Sequence, residues 1–387
     1  MISISPMIPN GSIDIVSMAD PAAIRLRLRV DPGDAPYLYY FHFRAAGVRG
    51  VDCTYRLENA AEALKTRLAS HAAIEGRWVN TGVMASYDRR DWFRIALHEQ
   101  DGIVSWQHRA AYDHVYFAMW PPYSTERRLD LLAELQMSPR VRLEVLGQSV
   151  EGRDLDLVTI GSPGPNKKIC WVIARQHPSE TMGGPFTEGF LRRLVDEHDP
   201  VAAALLDRAV FHVVPDINPD GTDRGLSRAN AAGANLNREW VTPSMVRSPE
   251  VKLVRDRMEQ TGVDFCIDCH GDAQLRCNFL GGPLEIPSRS DRLKTLFHDL
   301  ENSWAAASPD YERGHPYPGG PPATADLSMA WNWIAERFDC LSVLLEQPFK
   351  NTSWQAQSDP RGWSPQRAIR FGASLPTALL GVIEKLR

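Results

Sequence analysis

From Ile13 to about Tyr116 apolar and polar residues alternate in short runs. Ile24, Leu26, Leu28 and Val30 interleave with Arg25, Arg27 and Arg29 until Pro32-Gly33-Asp34 breaks the pattern. A period of two lays one face on a core and leaves the other in water, as in a half-buried strand. Aromatic and β-branched runs follow at 37–43, 92–97 and 115–120, separated by polar turns at uneven intervals. Together they predict an antiparallel β-sandwich. Pro121-Pro122-Tyr123 then interrupts the chain, and Thr125 to Leu132 has helical spacing. The boundary is placed here, with an N-terminal β-sandwich domain over residues 1–122 and a second domain over 123–387. In that second part largely apolar runs at 169–174, 210–214, 265–269 and 341–345 alternate with helical stretches near 186–196, 249–260 and 366–386. Strands apolar on both faces, alternating with helices, predict an α/β domain.

Composition narrows the class. A chain of 387 residues, 43% hydrophobic and 24% charged, buries a sizeable core without staples. Its 43 basic and 48 acidic residues leave a formal charge of −5, with no long run of either sign. Neither nucleic acid nor an anionic membrane is indicated as a partner. Met1 to Asp20 lacks a basic start and a continuous apolar core, and no stretch approaches the roughly 20 apolar residues of a membrane span. A soluble cytoplasmic protein is expected. Its six Cys lie in apolar segments, which suits buried thiols.

The candidate chemistry sits at strand ends. After the apolar run 169–174 comes Arg175-Gln176-His177-Pro178-Ser179-Glu180, with an imidazole and a carboxylate three residues apart. Open α/β sheets place their sites at such C-terminal strand edges, and both groups are good zinc ligands. The run 265–269 likewise ends on His270. A His, Glu, His set leaves a fourth zinc position for water, the arrangement of a catalytic site. The same segment also spells Cys266-x-x-Cys269-His270, a haem-attachment signature. In a strand the two thiols would face opposite ways, which argues against haem. Glu346, closing another apolar strand, is suspected of being a buried general base with a raised pKa.

These residues resemble the zinc metallocarboxypeptidases of the carboxypeptidase A fold, and among them the cytosolic carboxypeptidase branch. The shared pattern is His-x-x-Glu at 177–180, Asn218-Pro219-Asp220-Gly221, Arg228 with Asn237-Arg238 nine and ten residues on, His270, and the late Glu346. The resemblance implies a mixed β-sheet flanked by helices, preceded by an antiparallel β-sandwich domain. It implies one zinc per chain on His177, Glu180 and His270, Glu346 as base toward a metal-activated water, and Arg228 polarising the scissile carbonyl. Asn237 and a buried Arg238 fork would grip the terminal carboxylate of a peptide or protein C-terminus. Asn235 stands where the family usually has Asp, so the first histidine would lean on an amide. Branch members often remove acidic residues, and Arg276 or Arg313 is a candidate for the positive pocket. Tyr311 and Tyr317 are candidates for a covering tyrosine. The alternative is a zinc amidohydrolase of the aspartoacylase or succinylglutamate desuccinylase type, which shares the ligand set but generally lacks the large β domain.

Overall fold

The computed structural model describes residues 1–33, 37–62, 78, 81–273, 275–314, 323–352 and 362–387. Among these described residues ten strands lie in the N-terminal part: β1 (Ser3–Ser5), β2 (Asp14–Ser17), β3 (Ile24–Arg27), β4 (His42–Ala46), β5 (Asp52–Leu57), β6 (Val83–Ser86), β7 (Trp92–Ile95), β8 (His98–Gln100), β9 (Ile103–Arg109) and β10 (His114–Ala118). They make two five-stranded sheets, ordered β1-β4-β10-β6-β7 and β2-β3-β5-β9-β8. The pairings are antiparallel except β3 with β5, which runs parallel with Ile24 opposite Tyr55. Phe43 and Phe117 of the first sheet meet Tyr55 and Trp106 of the second, ring centroids 4.7–6.4 Å apart, and this aromatic layer fills the sandwich.

The run at 37–43 is only partly a strand. Tyr39, Tyr40 and Phe41 are buried, yet pairing begins at His42, because the backbone N–H groups of Tyr39 and Tyr40 donate to the Ser227 hydroxyl in the second part of the chain. Apolar character here reflects burial against the second part of the chain.

Helix α1 (Thr125–Leu135) follows, its N-terminus capped by the Ser124 hydroxyl, which accepts from the Arg127 N–H at 3.3 Å. Beyond it lie β11 (Val141–Gln148), β12 (Asp154–Ile160), β13 (Lys168–Ala174), α2 (Gly183–Val195), α3 (Pro200–Leu206), β14 (Ala209–Val214), α4 (Pro219–Arg224), α5 (Pro249–Thr261), β15 (Phe265–Asp272), β16 (Phe279–Gly281), α6 (Asp291–Ala307), α7 (Ala330–Phe338), β17 (Leu341–Pro348) and α8 (Pro365–Leu380). The strands form one seven-stranded sheet in the order β11-β12-β14-β13-β15-β17-β16. The four central strands are parallel and the outer ones antiparallel, which makes the sheet mixed.

Every residue of β14, β15 and β17 is buried, as strands covered on both faces require. On one face Val172, Phe211, Ile267 and Leu345 pack with Phe186, Phe190, Phe371 and Leu375 of α2 and α8. On the other, Trp171, Ile173 and Cys266 pack with Val251, Val254, Ala330 and Ile334 of α5 and α7. Cys266 and Cys269 thus belong to opposite cores, and all six thiols are free and buried. The haem reading is excluded by this geometry.

Candidate active site

His177 and Glu180 lie just past the C-terminal end of β13. The entry to this turn is strained: Arg175 adopts φ +62, a left-handed conformation for a residue with a side chain. Its buried guanidinium holds the turn, Nη1 donating to the Tyr123 carbonyl at 2.7 Å and Nη2 to that of Pro178 at 2.6 Å. The Asn218-Pro219-Asp220-Gly221 segment wedges against the same turn. Asn218 caps α4 by accepting from the Gly221 N–H at 3.0 Å, and Pro219 supplies its first helical residue. A Cβ on Gly221 would meet Pro178 Cγ at 2.4 Å and the Ala229 carbonyl at 2.9 Å, so only glycine fits between the two loops.

His270 and Glu346 are direct register partners on the parallel strands β15 and β17. The parallel sheet therefore brings together two residues 76 positions apart in sequence. Both are buried, as are His177 and Glu180.

His177 Nδ1 lies 2.8 Å from Glu180 Oε1, His270 Nδ1 lies 2.7 Å from Glu180 Oε2, and the two Nδ1 atoms are 3.1 Å apart. Tetrahedral zinc with bonds near 2.0 Å would set its donors roughly 3.3 Å apart. The observed separations of 2.7, 2.8 and 3.1 Å are shorter than that by about half an ångström or less, and the three side chains offer donor atoms within 4.8 Å of one another. Two imidazole nitrogens and a carboxylate converging in a buried space fit a zinc ion.

The far sides of the rings set the tautomers. His177 Nε2 donates to Asn235 Oδ1 at 3.1 Å, and His270 Nε2 to Asp268 Oδ2 at 3.0 Å, which leaves both Nδ1 lone pairs facing inward. Asp268 Oδ2 also accepts from Gln176 Nε2 at 2.7 Å, and Gln176 Oε1 from the Trp240 indole at 2.8 Å. The sequence reading passed over Asp268 as a functional group, although strand alternation places it on the face of His270.

Burial, and then the Arg228 charge, push His177 down to about 3, so its imidazole is neutral and able to bind metal. Burial opposes the Glu180 charge, but His177 and His270 outweigh it and hold the carboxyl well below its usual range. Burial likewise opposes protonation of His270, yet Asp268 and Glu180 raise it well above 6.5. A metal ion bound at Nδ1 would displace that proton.

Arg228 is 7% exposed, and its Nη1 is buried without a hydrogen-bond partner. Asn237 Oδ1 accepts from the Ala330 N–H at 2.8 Å, which fixes the amide with its NH2 beside His270, 3.3 Å from Nε2. Arg238 is not the buried fork expected: its side chain is 39% exposed, donates from Nη1 to the Asn237 carbonyl at 2.6 Å, and lies 3.5 Å from Asp326. Arg276 Nε donates to the Asn351 carbonyl at 3.0 Å, and Arg313 donates to Asn302 Oδ1. Tyr311 donates to Glu301 at 2.9 Å and stacks on Trp304, so it is a packing residue against α6. Tyr317 lies outside the described residues.

Chains of known structure share this fold over their whole length. The metallo-carboxypeptidase from Burkholderia cenocepacia superposes with a TM-score of 0.91 at 39% identity, covering 98% of both chains. The metallo-carboxypeptidase from Pseudomonas aeruginosa, solved with (2-guanidinoethylmercapto)succinic acid, superposes at 0.92 with 33% identity over 100% of both. The protein is thus a metallocarboxypeptidase, a peptidase of the hydrolase class. It belongs to the zinc carboxypeptidase family, Peptidase M14, which matches residues 127–336, and residues 4–120 match the cytosolic carboxypeptidase N-terminal domain. Mouse cytosolic carboxypeptidase 6 is 36% identical over 203 residues, a match covering 49% of this chain and 37% of that protein. Among the described residues no helix is long and apolar enough to cross a membrane.

Proposed function

We propose that the protein removes single residues from the free C-terminus of peptides or proteins, using one zinc held by His177, Glu180 and His270. The observation that carries this reading is the convergence of those three buried side chains beside Glu346, the register partner of His270. When bound, zinc supplies a Lewis acid for the carbonyl and for an attacking water. Glu346 takes the proton of that water and hands it to the leaving amine. The buried Nη1 of Arg228 donates to the carbonyl oxygen as negative charge builds there, and meanwhile gives His177 a reason to stay neutral. Asn237, whose amide lies against His270, and the partly exposed Arg238 are the candidates for the terminal carboxylate.

The division at 122/123 is part of this reading, supported by the end of β10 at Ala118 and the start of α1 at Thr125. A cytoplasmic location is supported by the cytosolic carboxypeptidases among the relatives. A preference for acidic residues remains our choice for the leaving side chain. The Pseudomonas neighbour's ligand carries a guanidinium as well as carboxylates, so basic residues belong in the same comparison.

The test pairs metal analysis with a peptide panel differing only in the last residue, each peptide as free acid and as amide. One zinc per chain and faster hydrolysis of the acid are expected. Because Arg238 is half exposed and screened, the discrimination is about 5- to 30-fold, roughly 1–2 kcal/mol. Equal hydrolysis of acid and amide overturns the exopeptidase reading.

A further inference from the structure

Arg228 sits in an irregular loop, residues 225–235, between α4 and the short turn Leu236–Arg238. A loop has no ladder of its own to hold a side chain in place, so its tethers decide where the guanidinium points. The principal tethers come from the N-terminal sandwich. The buried Asp31 carboxylate accepts from three consecutive backbone N–H groups: Ser227 at 2.7 Å through Oδ1, Arg228 at 2.6 Å and Ala229 at 2.8 Å through Oδ2. Three successive amides on one carboxylate fix the peptide planes on both sides of Arg228 Cα. Removing such a carboxylate from water is tolerated only when its oxygens are hydrogen-bonded, and these bonds all go to one loop.

Three further contacts act in the same place. The Ser227 hydroxyl accepts from the N–H groups of Tyr39 and Tyr40 at 3.0 and 3.2 Å. The backbones of Gly33 and Gly233 touch so closely that a Cβ on Gly33 would lie 2.7 Å from the Gly233 oxygen. The Tyr37 ring lies beneath the Arg228 guanidinium, 5.8 Å from centroid to carbon. The Ser227 carbonyl in turn accepts from the Ser179 hydroxyl at 2.5 Å, and Ser179 lies between His177 and Glu180. A continuous line of contacts therefore runs from the sandwich through Ser227, the neighbour of Arg228, to the loop that carries His177 and Glu180.

We propose that Asp31 and Tyr37 are positioning residues for Arg228, which makes the N-terminal sandwich a working part of the active site. This rests on the reading of Arg228 as the carbonyl-polarising group. Asp31→Asn keeps the shape but turns one acceptor into an NH2 facing backbone N–H groups. Displacement of a catalytic group by about 1 Å can cost on the order of 100-fold, so kcat should fall roughly 10- to 100-fold. KM for a peptide acid should hold within about 2-fold, since Asn237 and Arg238 are untouched, and zinc content should stay at one per chain.

The decisive measurement is a double-mutant cycle with Arg228→Ala. If Asp31 acts through Arg228, Asp31→Asn costs less than about 3-fold in the Arg228→Ala background. An equal loss in both backgrounds, or a loss that follows zinc content, overturns the proposal. Arg228→Ala alone tests the underlying reading, because an undiminished kcat there refutes the role of Arg228 itself. Should Asp31→Asn not fold, Tyr37→Leu removes only the ring under the guanidinium. It must show the same kcat loss and the same dependence on Arg228, and failure to do so refutes the proposal.

Discussion

At the scale of single residues, the two histidines of the cage are supported unequally. His177 leans on the neutral Asn235, whereas His270 leans on Asp268, whose charge strengthens the ring as a ligand. Losing such outer partners typically costs 10- to 100-fold in metal affinity. Asp268→Asn should therefore weaken zinc binding by about that factor, and Asn235→Asp should tighten it by roughly 10-fold, both read as dissociation constants in competition with a chelator. Unchanged constants in both variants would mean that the backbone alone orients the rings. Glu346→Gln keeps zinc, and its turnover should fall by about 100- to 10,000-fold if Glu346 is the base. His177, Glu180, His270 and Glu346 were legible because each closes or follows an apolar strand, where a polar group is out of place. Asp31 was not, since its partners lie almost 200 residues away and nothing local marks it.

Among the elements, strands buried on both faces were the most legible. The runs 169–174, 210–214 and 341–345 became β13, β14 and β17 with ends displaced by up to three residues. The edge hairpin β11–β12 escaped the reading because its alternation is broken by a register shift between Val145 and Gln148. Helices α6 and α7 were also passed over. The contact between α2 and α8 depends on small residues that no hydrophobic pattern reveals. A Cβ on Gly189 would lie 1.9 Å from the Ile369 carbonyl oxygen, and one on Gly372 1.9 Å from that of Phe186. In an exposed helix Gly→Ala stabilises by about 1 kcal/mol. Here the added carbon meets backbone, so Gly189→Ala and Gly372→Ala should each destabilise by about 1–3 kcal/mol in denaturant unfolding. The sign is diagnostic, and a stabilised variant would show that the helices cross further apart.

For the molecule as a whole, buried ionisable groups of opposite sense set how stability varies with pH. Burial, with Arg89 adding to it, lowers His42 from 6.5 to about 3, and burial with Arg257 and Arg142 lowers His212 to about 4. Their unfolded forms take up protons first, so these two destabilise the fold as pH drops below about 6.5. Glu250 runs the other way. Burial raises it from 4.5 to about 7 against the hydrogen bond from Asn230, and Asp31 is raised by burial to about 6. Their folded forms hold the proton longer, so their contribution is complete below the unfolded pKa and is lost as pH rises through 6 to 7. Between about pH 4.5 and 6 the two groups oppose each other, and the wild-type profile should be shallow there. Glu250→Gln keeps an oxygen for the Asn230 NH2 and removes one side of the balance. Its unfolding free energy should match wild type near pH 4.5 and exceed it above pH 7, diverging by about 1 kcal/mol per pH unit in between. Chemical denaturation at three pH values decides it. A variant less stable than wild type at pH 8 would mean that the carboxylate is ionised and well held in the fold, and that the Arg228 loop, which Asn230 shares, draws stability from the charge.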